Sequence, residues 1–166
     1  MQVRPADAGE IDHLAQLWHD AWHGSHAALA PPELVRLRTL ASFRDRLAVM
    51  LPNISVAGPA GAPLGLCAIR ADELYQLFVS STAHGTGVAA ALIADAEIRL
   101  AARGVELAWL ACAIGNDRAA RFYEKSGWRN AGSFVMMSET SNGPFPVDQL
   151  RFEKRQWRFE KRLTPA

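Results

Sequence analysis

Between Glu73 and Gly104 the chain passes from a strand to a helix through glycines, and few folds accommodate that unit. Glu73-Leu-Tyr-Gln-Leu-Phe-Val79 has the length and the aromatic and aliphatic composition of a strand. Ser80-Ser-Thr-Ala83 and then His84-Gly-Thr-Gly-Val-Ala89 follow it. From Val88 the period changes: Ala89, Leu92, Ile93, Ala96 and Leu100 recur at three and four residues, the face of an amphipathic helix. Arg99 and Arg103 fall in its last turn, where cations suit the helix dipole, and Gly104 stops it. Two glycines at a helix start let backbone N–H groups approach a ligand closely, which makes an anion site, most often for phosphate. The same residues also suit a plain strand-to-helix turn, because a short glycine loop is a weak signal by itself.

The run Val105 to Cys112 is almost wholly apolar, as in a strand covered on both faces, and so is expected to lie parallel to Glu73–Val79. That makes a right-handed strand-helix-strand crossover. Upstream, Gln2 to Pro5 reads as a short strand, and Asp7 with Glu10 as a capping box. Ile11, Leu14, Leu17, Trp18, Ala21 and Trp22 form one helical stripe, which His23-Gly-Ser-His26 is expected to interrupt. Pro31-Pro32 opens a second helix carrying Leu34, Leu37 and Leu40, and Ser42 with Asp45 restarts it, Phe43 and Leu47 facing inward. Asn53 to Ala57 and Pro63 to Arg70 read as a hairpin across Gly58-Pro-Ala-Gly61.

Downstream, Asn116 caps a further helix with Asp117 in its first turn. It runs through Phe122-Tyr123 and stops at Gly127, where Trp128 folds back on the last turn. Trp128 to Met137 and Val147 to Glu153 are the last strands, joined by a loop at Ser141 to Pro146. Arg151-Phe-Glu-Lys-Arg155 recurs as Arg158-Phe-Glu-Lys-Arg162. Two copies are too few for a repeat fold, so the duplication reads as a charged tail over about 155–166, with no activity assigned.

A chain of 166 residues suits a single domain, 1–166. Lys and Arg total 18 against 17 for Asp and Glu, which points away from nucleic acid and membrane surfaces. No apolar run approaches the roughly 20 residues of a membrane span, and the N-terminus lacks a signal-peptide pattern. Cys67 and Cys112 lie in apolar runs and read as buried, reduced thiols of a cytoplasmic protein.

Three features together resemble the GCN5-related N-acetyltransferase superfamily. His84-Gly-Thr-Gly-Val-Ala89 is similar to its Gln/Arg-x-x-Gly-x-Gly/Ala loop, with Gly87 and Ala89 at the last two fixed positions and His84 in place of Gln or Arg. Asn116-Asp-Arg-Ala-Ala-Arg-Phe-Tyr123-Glu-Lys-Ser-Gly-Trp128 resembles its Asn-x-x-Ala-x-x-Phe-Tyr-x-x-x-Gly-Phe pattern, with Trp128 for Phe. The order of elements agrees over nearly the whole chain. The resemblance implies an α/β (α+β) fold: a mixed, mostly antiparallel sheet, helices on both faces, and two central parallel strands that splay apart. It implies acetyl-CoA as cofactor, cradled by Phe78, Val79, His84, Gly85, Thr86, Gly87, Val88, Ala89, Asn116 and Tyr123. It also implies transfer of the acetyl group to a small-molecule or peptide amine in a ternary complex. A homodimer is left open.

Acetyl transfer to an amine needs a neutral amine, donors for an oxyanion, and a proton for the leaving thiolate. Tyr123 holds its phenolic proton at neutral pH and suits the last task, as the equivalent tyrosine does in the superfamily. Glu73 is the candidate base: it stands six residues before Val79, a spacing that resembles the histone-acetylating branch of the superfamily, and a carboxylate in an apolar cleft can have a raised pKa; it equally suits a solvent-facing acid at a strand end, and Asp72 is a weaker competitor. The backbone N–H of Val79 is the partner for the thioester carbonyl that the resemblance implies. Trp18, Trp22 and His26, with His23 beside them, are candidates for the acceptor wall, though both tryptophans also share the core stripe. His23 and His26 alone make a poor metal site.

Two rival readings accompany this one. A non-catalytic acetyl-CoA sensor would keep the glycine loop and lose the acid or base. Dinucleotide binding fits Gly85-x-Gly87-x-x-Ala90 with Glu106 about 20 residues on, but Glu106 opens its strand where the ribose acid should close one.

Overall fold

The computed structural model describes residues 1–156; the second copy of the duplicated segment, Arg158 to Arg162, lies outside them. The strands are β1 (Val3–Pro5), β2 (Ile54–Ala57), β3 (Gly65–Arg70), β4 (Glu73–Val79), β5 (Leu107–Ala113), β6 (Arg129–Ser138) and β7 (Phe145–Arg155). They form one sheet in the order β1-β2-β3-β4-β5-β7-β6. Every neighbouring pair is antiparallel except β4 with β5, which are parallel. The mixed, mostly antiparallel sheet and its central crossover are therefore as the sequence predicts.

The helices are α1 (Ile11–His26), α2 (Pro32–Leu37), α3 (Leu40–Met50), α4 (Val88–Ala102) and α5 (Asp117–Lys125). One buried cluster joins Leu92, Ala96 and Leu100 of α4 to Ile69, Leu110 and Phe152 of the sheet. The other joins Leu14, Trp18, Phe43 and Leu47 of α1 and α3 to Val56 and Leu66. Each such aliphatic or aromatic side chain contributes about 1.5–3 kcal/mol by leaving water, which holds the helices against the sheet.

Of the boundaries that differ from the sequence reading, three have a clear local reason. His23-Gly-Ser-His26 does not interrupt α1, which continues to His26. The Ser25 hydroxyl donates to the Ala21 carbonyl at 2.8 Å, and Trp22 and His26, one turn apart, stack on each other. The third helix starts at Leu40 rather than at Ser42, because Thr39 caps it: its Oγ1 accepts from the Ser42 N–H at 3.1 Å. β7 begins at Phe145 and includes Pro146, which pairs with Met137 of β6. The last β5 partner of β7 is Gln149, so Pro146 stands beyond the end of β5, where no ladder bond is needed from it.

Gly65 is a point of close approach. A Cβ there would meet Val88 Cγ1 at 2.8 Å, Leu92 Cδ1 at 2.9 Å and the Phe78 carbonyl oxygen at 3.2 Å. Gly65→Val should therefore push α4 off β3 and destabilise the fold by about 1–3 kcal/mol, measurable as a lower urea midpoint with an unchanged slope. An unchanged midpoint would show that α4 yields without cost.

Candidate active site

β4 and β5 share a single registered pair, Glu73 with Trp109. The Trp109 N–H donates to the Asp72 carbonyl at 3.3 Å and its indole N–H to the Asp72 carboxylate at 2.9 Å. Beyond that point the strands part. β4 follows β3 as far as Gly65 opposite Val79, while β5 follows β7 as far as Ala113 opposite Gln149. The space between them is a cleft of about 1070 Å³, walled by Leu74 to Val79 on one side and Leu110 to Ala113 on the other. The Ser80 N–H donates to the Leu64 carbonyl on the β3 side, and successive amides of a strand point to opposite edges, so the Val79 N–H faces the gap.

At the carboxyl end of β4 the chain turns through the two glycines. Gly85 and Gly87 have φ of +79° and +88°, a conformation that other residues adopt only with strain. The first helical bond of α4 runs from Ala91 to the Gly87 carbonyl. The N–H groups of Val88, Ala89 and Ala90 therefore have no acceptor within the helix and form a cradle for an anion. No atom lies within 4 Å of a Cβ built at Gly85 or Gly87, so a ligand can reach the backbone there. His84, Gly85, Gly87, Val88 and Ala89 line the cleft. Thr86 does not: its hydroxyl and its N–H both donate back to the Ala83 carbonyl, which ties the loop to itself. His84 faces Arg118 of α5, whose Nη1 lies 2.8 Å from its Nδ1. Arg118 is a cleft residue that the sequence reading passed over, although it stands inside the Asn116–Trp128 pattern.

Asn116 caps α5, its Oδ1 accepting from the Ala119 N–H at 3.3 Å, which leaves its amide NH₂ for a ligand. At the other end Gly127 has φ of +89°, and the Trp128 N–H donates to the Tyr123 carbonyl at 2.9 Å, the expected Schellman closure. These two caps fix Tyr123, whose ring packs on Phe122 and Phe152 with centroids 5.5 and 5.8 Å away. Tyr123 lines the cleft together with Asn116 and Cys112. Burial drives its phenol well above the ordinary range, so it keeps its proton at every working pH.

The amino end of β4 forms the opposite end of the cleft. Opposite β3, Leu74 pairs with Ile69 and Gln76 with Ala68, which leaves Tyr75 as the extra residue of a β-bulge. Farther along β4, Trp22 and His26 stack on each other, ring centroids 5.3 Å apart and 8° from parallel, and both line the cleft. Burial lowers the His26 pKa to about 4, so the imidazole is neutral at pH 7. Phe78 stands beside it at 5.9 Å. Trp18, expected on the same wall, is fully buried behind it against Phe43, and the Arg46 guanidinium covers its ring at 4.4 Å. His23 also turns away, its Nε2 bonded to the Arg38 carbonyl at 2.7 Å. Three arginines that the sequence reading did not single out, Arg38, Arg46 and Arg70, line this end.

Glu73 lies behind the cleft wall rather than on it. Its Oε1 accepts from Arg70 Nη2 at 3.3 Å, and its Oε2 is buried without a partner. Burial raises the carboxyl to about 7 against the pull of Arg70, so it exchanges a proton near neutrality. Asp72 is held away by the Trp109 indole.

Solved structures share this architecture. A GCN5-related N-acetyltransferase of Rhodopseudomonas palustris superposes with a TM-score of 0.73 at 19% identity, over 93% of this chain and 94% of that one. An N-acetyltransferase of Staphylococcus aureus gives 0.72 at 16% identity, over 93% and 98%. The PaiA N-acetyltransferase of Thermoplasma acidophilum, solved in complex with coenzyme A, gives 0.65 at 16% identity, over 93% and 98%. At these identities the likeness is one of fold, and no curated protein matches the sequence. The model of the acetyltransferase (GNAT) family does match, over residues 14–128, from the first turn of α1 to the Trp128 that closes α5. The β4–β5 split, the glycine cradle and the capped tyrosine helix all fall within that span, and the chain belongs to the GNAT acetyltransferase family.

Proposed function

We propose that the chain is an N-acetyltransferase that moves an acetyl group from acetyl-CoA to a primary amine held at the amino end of β4. The observation that carries this reading is the gap between two parallel strands, with the Val79 N–H on one edge and Tyr123 on the other. The residues fit the cofactor. The amides of Val88, Ala89 and Ala90, with Gly85 and Gly87 open to close approach, suit its pyrophosphate. The free edges of β4 and β5 and the Asn116 amide suit its pantetheine amides. Bound acetyl-CoA supplies an acetyl thioester, whose acyl carbon passes from sulfur to the amine nitrogen.

The Val79 N–H donates to oxyanion charge where it develops. Tyr123 holds a proton at its phenolic oxygen and presents it to the departing sulfur. Glu73 accepts the proton that the ammonium must lose. Its carboxylate sits behind Arg70, whose side chain is 44% exposed, so a water-mediated path carries the proton to it. The buried free thiols Cys67 and Cys112 suit a reducing compartment such as the cytoplasm. Retention of Tyr123 on the cleft favours the enzyme over the sensor reading.

Acetyl-CoA with a panel of primary amines, read by thiol release, tests the activity directly; no release with any amine would favour the sensor. Glu73→Gln tests the base. Activity should fall most near neutral pH and least in alkali, where free amine is already present; an equal loss at all pH values would remove Glu73 as base. Stability supplies a second measure. The folded-state pKa of Glu73 is raised from 4.5 to about 7, so the native state loses stability as pH rises through that interval. The melting temperature of Glu73→Gln relative to wild type should therefore climb between those values and level off above them. A pH-independent difference would show that the carboxyl titrates normally.

A further inference from the structure

The arginines at the amino end of β4 are more than the protein's own carboxylates can occupy. Arg38 is only 4% exposed, and its Nη1 donates to the Glu139 backbone carbonyl, while its Nε is buried without a partner. Arg46 lies over the Trp18 ring at 4.4 Å, its Nη2 donates to the Tyr75 hydroxyl at 3.0 Å, and its Nε is likewise buried and unpaired. Among the described residues neither guanidinium meets a carboxylate. The two that are near are both taken by Arg70: Glu139 at 2.7 Å and Glu73 at 3.3 Å. Arg70 itself lies flat on the Tyr75 ring at 3.7 Å, on the bulge of β4. Of the other acids on the cleft wall, Asp20 is engaged by Gln16 and His19, and Asp148 is exposed on β7.

Burial together with the charge of Arg46 lowers the Arg38 pKa to about 10, so the two cations work against each other. Both guanidinium groups line the cleft without a carboxylate partner among the described residues, and a partly desolvated, unpaired charge is costly. The arrangement asks for an anion from outside. Its position says which molecule brings that anion. Tyr75 lies four residues before Val79 on β4, roughly 13 Å away at about 3.3 Å per residue, and the arginine side chains cover part of that distance. An anion bound there is separated from the Val79 N–H by the reach of a small molecule. The cofactor cradle lies beyond the other end of the strand, so its phosphates do not reach here.

We propose that the acceptor is a small primary amine that also carries a carboxylate, and that Arg38 and Arg46 bind this carboxylate at the Tyr75 bulge while the amine reaches into the β4–β5 gap. This rests on the acetyl-transfer reading and narrows it. Planar guanidinium forks match a carboxylate or a phosphate. A carboxylate is favoured because each arginine already spends one nitrogen inside the protein, which leaves a modest donor set. The same wall disfavours polycationic amines, since each further ammonium is repelled by the unpaired guanidinium groups of Arg38 and Arg46.

The test uses the full chain and matched probes. Thiol release from acetyl-CoA is measured with glycine, β-alanine and L-lysine, each against its carboxamide, and with phosphoethanolamine and spermidine. Binding of the same compounds without acetyl-CoA is followed by thermal shift. At least one carboxylate should exceed its amide by ten-fold or more in kcat/KM or raise the melting temperature where the amide does not, and spermidine should do neither. Arg46→Gln should erase that preference by raising KM for the carboxylate at least ten-fold, with little change for the amide, and Arg46→Lys should restore part of it. Arg38→Gln should act alike if it folds; Arg46 is the primary variant because it is less buried. Amides or spermidine preferred over carboxylates, a preference for phosphoethanolamine, or a preference that survives Arg46→Gln would each overturn the assignment while leaving acetyl transfer intact. Carboxylate binding that depends on Arg46, in a protein that releases no thiol with any amine, would uphold the anion site and end the enzyme reading. No binding and no selective turnover across the panel overturns it.

Discussion

Tyr123→Phe is expected to bind acetyl-CoA as the wild type does and to turn over roughly ten- to a thousand-fold more slowly, about 1.4 to 4 kcal/mol in the barrier. The substitution removes one oxygen and keeps the ring between Phe122 and Phe152, so α5 and its caps should survive. The apparent difficulty is that a buried phenol is a weak acid. The same burial acts on the group that receives the proton. Cys112, on the same wall, has its thiol pushed up to about 11 by desolvation, and a leaving thiolate in this gap is made more basic for the same reason. Donor and acceptor therefore rise together, and the transfer is less uphill than their values in water suggest. The measurement is paired: cofactor affinity by titration, and single-turnover transfer at saturating acceptor. Unchanged transfer would take Tyr123 out of the mechanism. Weakened binding with normal transfer at saturation would make it a cofactor contact.

Gly87→Glu should lower acetyl-CoA affinity by more than about a hundred-fold, or some 3 kcal/mol. Gly87 has φ of +88°, so any side chain strains the turn. The carboxylate then lies at the start of α4, beside the unpaired amides of Val88, Ala89 and Ala90, and takes the seat meant for phosphate. With no atom within 4 Å of the new Cβ, the fold itself has room for the change. Gly87→Ala separates the two effects, since it strains the turn without adding charge. Calorimetry that found equal affinity for wild type and Gly87→Glu would place the pyrophosphate elsewhere.

What the sequence disclosed and what it hid divide along the range of the interactions. The helix from Asn116 to Trp128 was legible to its ends because an Asn cap, a Gly127 at positive φ and a returning Trp128 N–H are all local. The crossover was legible because strand, loop and helix follow one another. Trp18 was expected on the acceptor wall and lies behind it, since a helical stripe says that a face is apolar and not which layer covers it. Glu73 was placed in an environment that raises its pKa, but its position behind Arg70 depends on the end of β3. The arginine cluster was invisible for the same reason. Arg38 ends α2, Arg46 sits in α3 and Arg70 closes β3, and only the packing of α1 and α3 on the bulge at Tyr75 brings them together.

The split sheet also leaves the fold open to stabilisation by whatever binds between its halves. β1 to β4 and β5 to β7 meet through one ladder pair, so much of the edge that would ordinarily hold a sheet together is left to be completed by whatever sits between. A ligand that bonds to both edges binds the native state and not the unfolded chain. At a hundred-fold excess over its dissociation constant it adds about 2.7 kcal/mol, a sizeable fraction of the stability of a domain this size. Removing acetyl-CoA is then expected to raise the small unfolded fraction by about a hundred-fold, which proteolysis with and without the cofactor would read.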